Sequence, residues 1–300
     1  MPTLRTIRRR ITAVQNTAKI TQAMRMISAA QLKRAQNNIE SARPYVLKLA
    51  EILGNLVQAV GEGYSHPLIE KRKETKGITL ISIASDRGLC GSFNNSLFRF
   101  VLNYIDSNIA KEYPGVKINH ITVGKRTGQF FKKQNVELLK DYSGIFSNLN
   151  FSVAKDIVNI AKNQYFEGKT DKVLIAFNEF KNVIIQRPKI IQLLPIESTN
   201  DGTLKKEADK EKFNLDYIFE PEQKAILDDL LPKYIDIQLW RTLLESFAAE
   251  QAARMMAMEN ATKNANDLIQ HLELVFNKAR QAAITKEMLE IVSGAEALKK

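Results

Sequence analysis

The sequence predicts an α/β protein: a long antiparallel coiled coil made from the two chain ends, with a mixed strand–helix layer between them. Three observations carry this prediction. Residues 3–60 contain no glycine before Gly54 and only one proline, Pro44. Between Pro232 and Gly294 there is neither proline nor glycine. The middle of the chain instead alternates short β-branched runs with helix-length segments.

In the first segment, Ala35, Ile39, Ala42, Val46, Leu49, Leu53, Leu56 and Val60 recur in steps of four and three. That spacing is a heptad seam, the signature of one helix laid along another. An earlier register holds Leu4, Ile7, Ile11, Val14 and Ala18. Followed through its apolar residues, the pattern slips phase near Ile20, Met24 and Ile27, so the supercoil is expected to loosen there. Pro44 is expected to kink or break the helix, because it removes an N–H and crowds the preceding turn.

The last segment permits a helix of about 90 Å at 1.5 Å per residue. Its seam reads Leu244, Phe247, Gln251, Arg254, Met258, Ala261, Ala265, Leu268, Leu272, Val275, Ala279 and Ala282, interrupted by Gln251 and Arg254. Alanines allow close approach but bury little area, so such a helix needs a partner. The first segment supplies one. The resulting domain reading is a coiled-coil helix over 1–62, a globular domain over 75–220 and a second coiled-coil helix over 221–300.

Within the middle, strands are predicted over 78–84, 116–123, 136–139, 172–180 and 183–194, the last two joined as a hairpin at Lys181-Asn182. Helices are predicted over 94–107, 126–134 and 152–166. Strand–helix alternation gives a Rossmann-like layer with a mostly parallel sheet and an antiparallel edge. Residues 197–212 are polar and charged and read as a mobile loop.

The chain has 300 residues and a formal net charge of +11. Residues 1–60 hold ten basic side chains against only Glu40 and Glu51, a net +8. An excess so localised points to an anionic partner at the first helix. Nucleic acid is disfavoured there, because Tyr45 is the only aromatic residue before Tyr64 and single-strand binders interleave rings with cations. The single cysteine, Cys90, excludes an internal disulfide framework, and His66, His120 and His271 show no ligand spacing. No apolar run approaches the ~20 residues that span a bilayer.

The sequence offers four candidates for catalytic chemistry. Ser85-Asp-Arg-Gly-Leu-Cys-Gly-Ser92 lies between a strand and a helix, where phosphates are cradled, but lacks the full G-x-G-x-x-G pattern. Gly168-Lys-Thr170 resembles the end of a Walker A motif without its upstream glycine. Cys90 has no evident base, and Asp228-Asp229 turn to different faces of a helix. No triad, carboxylate pair, metal site or cofactor site emerges. The reading of a different class that remains is a stand-alone α/β nucleotide-binding enzyme whose basic helical arm contacts RNA.

Both ends and the first βα loop carry a family resemblance. The run from Ile7 to Met24, the loop Ser85–Asn94, the stretch Glu250-Gln-Ala-Ala-Arg-Met-Met-Ala-Met-Glu-Asn-Ala-Thr262, and the runs Asn277–Thr285 and Glu290–Gly294 resemble the gamma-subunit family of F-type ATP synthases. The likeness covers nearly the whole chain, and the C-terminal motif is long and specific.

The resemblance implies a rotor shaft. It would be a non-catalytic subunit turning inside a hexamer of alpha and beta subunits, with its globular part near the membrane ring and the epsilon subunit. It implies contacts to beta from Arg8, Arg9, Lys19, Met24, Arg25, Arg280, Gln281 and Thr285. It implies contacts to the ring and epsilon from Arg43, Tyr45, Tyr217, Phe219 and Glu220; related sequences often carry tyrosine where Phe219 stands. It further implies a peripheral protein at the cytoplasmic face of a bacterial membrane, since no transit peptide is evident. With Cys90 alone, the thiol switching of chloroplast-type relatives is not expected.

Overall fold

The computed structural model describes residues 3–60, 66–70, 72, 74–134, 136–196, 220 and 222–297. The predicted loop over 197–212 lies outside the described residues. The chain divides into two compact units: residues 1–29 with 254–300, and residues 30–253.

Two helices dominate: α1 (Leu4–Val60) and α5 (Gln223–Ala297). In the first unit they run antiparallel. Arg8 stacks over the Phe276 ring and Thr21 meets Thr262, so partners on α5 fall in number as α1 rises.

The structure corrects three details of the sequence reading of these helices. Pro44 does not break α1, which is helical on both sides of it. Pro44 and Glu40 lie on the exposed face, so the carbonyl deprived of its N–H partner is left to water. The phase slip is absent from the burial pattern. Buried or half-buried positions continue as Ala18, Thr21, Arg25, Ser28, Leu32 and Ala35, while Ile20, Met26 and Ile27 are exposed. On α5, Ile269 and Ala283 turn inward where Leu268 and Ala282 were expected, and Gln251 and Arg254 are buried in the seam rather than interrupting it.

The second unit is built on a five-stranded sheet in the order β3-β2-β1-β4-β5. Its strands are β1 (Gly77–Ile83), β2 (Lys117–Val123), β3 (Glu137–Tyr142), β4 (Lys172–Phe180) and β5 (Gln186–Leu194). β1, β2, β3 and β4 are parallel and β5 is antiparallel to β4. The expected hairpin turn of two residues is a five-residue loop. Asn182 Oδ1 accepts the N–H groups of Ile184 and Ile185, which folds residues 181–185 off the ladder.

Every residue of β1 is buried, the mark of a central parallel strand covered on both faces. Ile78, Leu80, Leu174 and Ala176 face α2 (Phe93–Tyr104) and α3 (Lys125–Lys133), packing on Leu97, Phe98, Val101 and Phe131. A π-helical turn, Ile105–Ile109, and a last turn, Ala110–Glu112, extend α2. Ile81, Ile83, Val173, Ile175 and Phe177 face α4 (Phe151–Phe166) together with Val46, Leu49, Leu53 and Leu56 of α1 and Leu227, Leu231, Ile235 and Leu239 of α5. The chain ends are thus core elements of this unit as well as a helical pair in the other.

Candidate functional site

Chemistry at the βα loops can be tested directly. Gly124 separates β2 from α3 with φ of 94°, and a Cβ there would lie 2.1 Å from the Ala84 carbonyl oxygen, so the loop requires glycine. The N-terminus of α3 is where a phosphate would bind. Asp86 fills that position. Its Oδ1 accepts the N–H groups of Lys125 at 2.9 Å and Gly144 at 2.7 Å, and its Oδ2 accepts that of Phe146 at 3.1 Å. An internal carboxylate therefore takes the donors an anionic ligand would need.

The Walker-like Gly168-Lys169-Thr170 sits at the opposite kind of helix end. Gly168, with φ of 71°, follows α4, and Lys169 and Thr170 donate backward to the Gln164 carbonyl. This is a C-terminal cap, where the helix presents carbonyls and partial negative charge, the wrong polarity for phosphate. Cys90 is buried; its Sγ lies 3.3 Å from the donor Asn94 Nδ2. Asp229 pairs with Lys233 along α5. Among the described residues no three His, Cys, Asp or Glu side chains gather as metal ligands, and no helix is long and apolar enough to cross a membrane.

What the structure does present is surface. Arg5, Arg8, Arg9, Thr12, Ala13 and Asn16 line a shallow groove along the start of α1. A second groove in the same unit is bounded by Gln22 and Arg25 of α1 and by Glu259, Thr262, Lys263, Asn266 and Asp267 of α5. Arg8, Arg9 and Lys19 are exposed, with Arg8 also lying 5.8 Å over the Phe276 ring, and Met24 and Arg25 are half-buried. Arg280, Gln281 and Thr285 are exposed on α5, where the Thr285 hydroxyl donates to the Gln281 carbonyl at 2.9 Å.

The antiparallel pairing brings the start of α1 opposite the 276–280 region, so Arg8, Arg9 and Arg280 gather at one end of the helical pair. Beyond it α5 has no partner among the described residues. Ile284, Met288, Leu289, Ile291 and Val292 are 46–71% exposed there, an apolar tip that the described residues leave uncovered. Arg43, Tyr45 and Glu220 belong to the other unit and are exposed. Tyr217 and Phe219 lie outside the described residues.

The sequence reading missed two exposed apolar features. Leu89, at the tip of the loop after β1, is 66% exposed and has φ of 63°, a left-handed backbone unusual for leucine. Ile184, in the loop between β4 and β5, is 78% exposed. The extended β-branched run 183–185 hid the second, since it reads as strand.

Comparison with known proteins gives a consistent picture. A family model described as ATP synthase matches residues 3–298. The ATP synthase gamma chain of Chlorobium limicola is 44% identical over 299 residues, covering all of both chains. That of Salinibacter ruber is 43% identical over 305 residues, covering 99% of each. Among solved structures, a chain of the central stalk and c-ring of Tetrahymena thermophila mitochondrial ATP synthase is similar with a TM-score of 0.59 and 26% identity. It covers 81% of this chain and 99% of that one. A chain of the Euglena gracilis mitochondrial ATP synthase rotor has the same fold, with a TM-score of 0.63 at 18% identity over 94% of this chain and 98% of that one.

Proposed function

Because the chain belongs to the ATP synthase gamma-chain family, we propose that it is the central shaft of a rotary ATP synthase. It couples ion flow through a membrane ring to nucleotide turnover in a hexamer of alpha and beta subunits, and holds no catalytic residue itself. The observation that carries this reading is the free end of the helical pair. An apolar tip from Ile284 to Val292 stands exposed, and the exposed basic residues Arg8, Arg9 and Arg280 lie towards the same end of the pair. An apolar tip on an isolated helix asks for a surrounding partner, and these charges ask for an acidic one.

Charge is a suitable contact for a turning element. Its attraction falls slowly with distance, so it orients the shaft without the interlocking that packed apolar side chains impose. Arg8, Arg9, Lys19, Met24, Arg25, Arg280, Gln281 and Thr285 are assigned to beta. Arg43, Tyr45, Tyr217, Phe219 and Glu220 are assigned to the ring and the epsilon subunit. The bacterial relatives favour a peripheral position on the cytoplasmic face of the cell membrane. The alternative of an RNA-directed nucleotide-binding enzyme draws no support from Asp86, which fills the N-terminus of α3, or from Gly168, which closes the C-terminus of α4.

The test is the ATPase activity of alpha and beta subunits with and without this chain, beside the chain alone. A silent chain that assembles with the mixture and accelerates its turnover supports the shaft. Hydrolysis by the chain alone, or a mixture indifferent to it, removes the proposal.

A further inference from the structure

Within the second unit, α5 is buried along an unbroken run: Ile235, Asp236, Ile237, Gln238 and Leu239. Successive helical residues point about 100° apart, so five of them cover every direction around the axis. This stretch of helix is enclosed on all sides. A surface helix is held in rotation by its apolar stripe, which turning would expose. An enclosed helix lacks that restraint. Turning it keeps Ile235, Ile237 and Leu239 among apolar surroundings, so close packing alone, with no loss of burial, opposes the turn. The charge of Asp236 is not exchangeable in that way.

Asp236 faces α4. Its Oδ1 lies 3.9 Å from Lys162 Nζ, with the side chains 12% and 15% exposed, and Lys155 on the same helix also acts on it. Burial raises the Asp236 pKa, and the two lysines oppose that rise. Asp236 Oδ1 has no hydrogen-bond partner among the described residues, and neither does Gln238 Nε2. A buried ion pair so poorly hydrogen-bonded repays its desolvation badly, and apolar residues of similar size would hold the helices together at least as well. The best-attested use of such a pair is to fix register. The neighbouring contacts of α5 with the start of α4 and with the segment before it are rings. Trp240 meets Phe151 edge-on at 5.9 Å, and Phe247 stacks on Phe146 at 5.8 Å. Rings pack over a range of offsets.

We infer that Lys162 and Asp236 form a torque key, a pair of positioning residues that locks the rotational register of α5 against α4. Twist applied to the α/β unit then passes into the long helix and is not lost as slip. This inference rests on the shaft reading above. Stability is not the purpose of the pair; transmission is.

The experiment uses the whole complex in inverted membrane vesicles, reading protons or sodium ions moved per ATP hydrolysed, with the melting temperature of the purified complex alongside. The double variant Lys162→Met with Asp236→Leu is expected to melt at or above the wild-type temperature, to keep hydrolysing ATP and to move fewer ions per ATP. The exchanged pair Lys162→Asp with Asp236→Lys is expected to recover part of that ratio. A wild-type ratio in the apolar double variant overturns the key. Should that variant fail to assemble, Asp236→Asn, which keeps the volume, is read the same way: a lowered ratio supports the key and a wild-type ratio overturns it. A wild-type complex that hydrolyses ATP but moves no ions overturns the shaft reading itself.

Discussion

The hydroxyls of Thr21 and Thr262 meet at 2.7 Å between the two terminal helices. Thr21 Oγ1 also lies 3.0 Å from the Ala18 carbonyl, and Thr262 Oγ1 lies 2.8 Å from that of Met258. Two hydroxyl protons serve three contacts, so one hydroxyl donates across the pair while the other donates to its own helix. A single Thr21→Val leaves Thr262 without its cross-helix partner and is expected to cost about 1 kcal/mol. Replacing both by valine removes donor and acceptor together and is expected to be close to neutral. A double-mutant cycle by denaturant unfolding of the full chain should therefore show a coupling of about 1–2 kcal/mol.

That contact also marks where the sequence was legible and where it was not. The parallel strands announce themselves, because a strand buried on both faces reads as a short run rich in apolar and β-branched residues, as Ile78 to Ile83 does. The heptad seam is legible for the same reason wherever Val46, Leu49 or Leu53 carries it. Between Ala18 and Leu32 it passes through Thr21, Arg25 and Ser28, and a search by apolar residues alone jumps to Ile20 and Ile27, which face outward. A threonine whose hydroxyl folds back on its own helix is small and satisfied enough to hold a seam position. The assignment of surface residues to partners rests on motif resemblance alone, since composition says no more than that the first helix is basic. Asp86 at the start of α3 and Lys162 against Asp236 were not legible at all. Their partners are distant in sequence, and only the order of the strands brings them together.

His120, on β2, is 1% exposed and packs 4.7 Å from the Phe131 ring, with no hydrogen-bond partner for Nδ1 among the described residues. Burial lowers its pKa to about 4 from the ordinary 6.5. Between those values the unfolded chain binds a proton that the folded chain refuses. Stability is therefore expected to fall as pH drops from 6.5 towards 4, by a total on the order of 3 kcal/mol, and this contribution levels off below the folded value. Denaturant midpoints across that range check it, and His120→Leu should flatten the slope. An unchanged slope in that variant would assign the acid sensitivity to other groups.

Pro44 removes a hydrogen bond from the interior of α1 while the flanking residues Val46 and Leu49 hold the helix in the core. Its own side chain is exposed and contributes no core packing. Pro44→Ala is expected to restore the bond to the Glu40 carbonyl and raise stability by about 1–3 kcal/mol. A melting temperature that stays the same or falls would show that the proline is held in place by a contact on the exposed face.

Leu89 holds a left-handed backbone at φ of 63° with its side chain 66% exposed. A left-handed conformation costs a leucine roughly 1–2 kcal/mol, and little burial offsets that cost here. Glycine adopts the same angles freely but loses more freedom on folding, roughly 0.5–1 kcal/mol. Leu89→Gly is therefore expected to stabilise the chain, by about 0.5–1 kcal/mol from the difference of those terms. Leu89→Ala keeps the strain and gains nothing from it, so it should lie at or below wild type. Thermal unfolding of the three proteins in parallel separates the effects. Should glycine and alanine destabilise equally, the leucine side chain is packing on its own loop, and the backbone angle is not what sets the energy at this position.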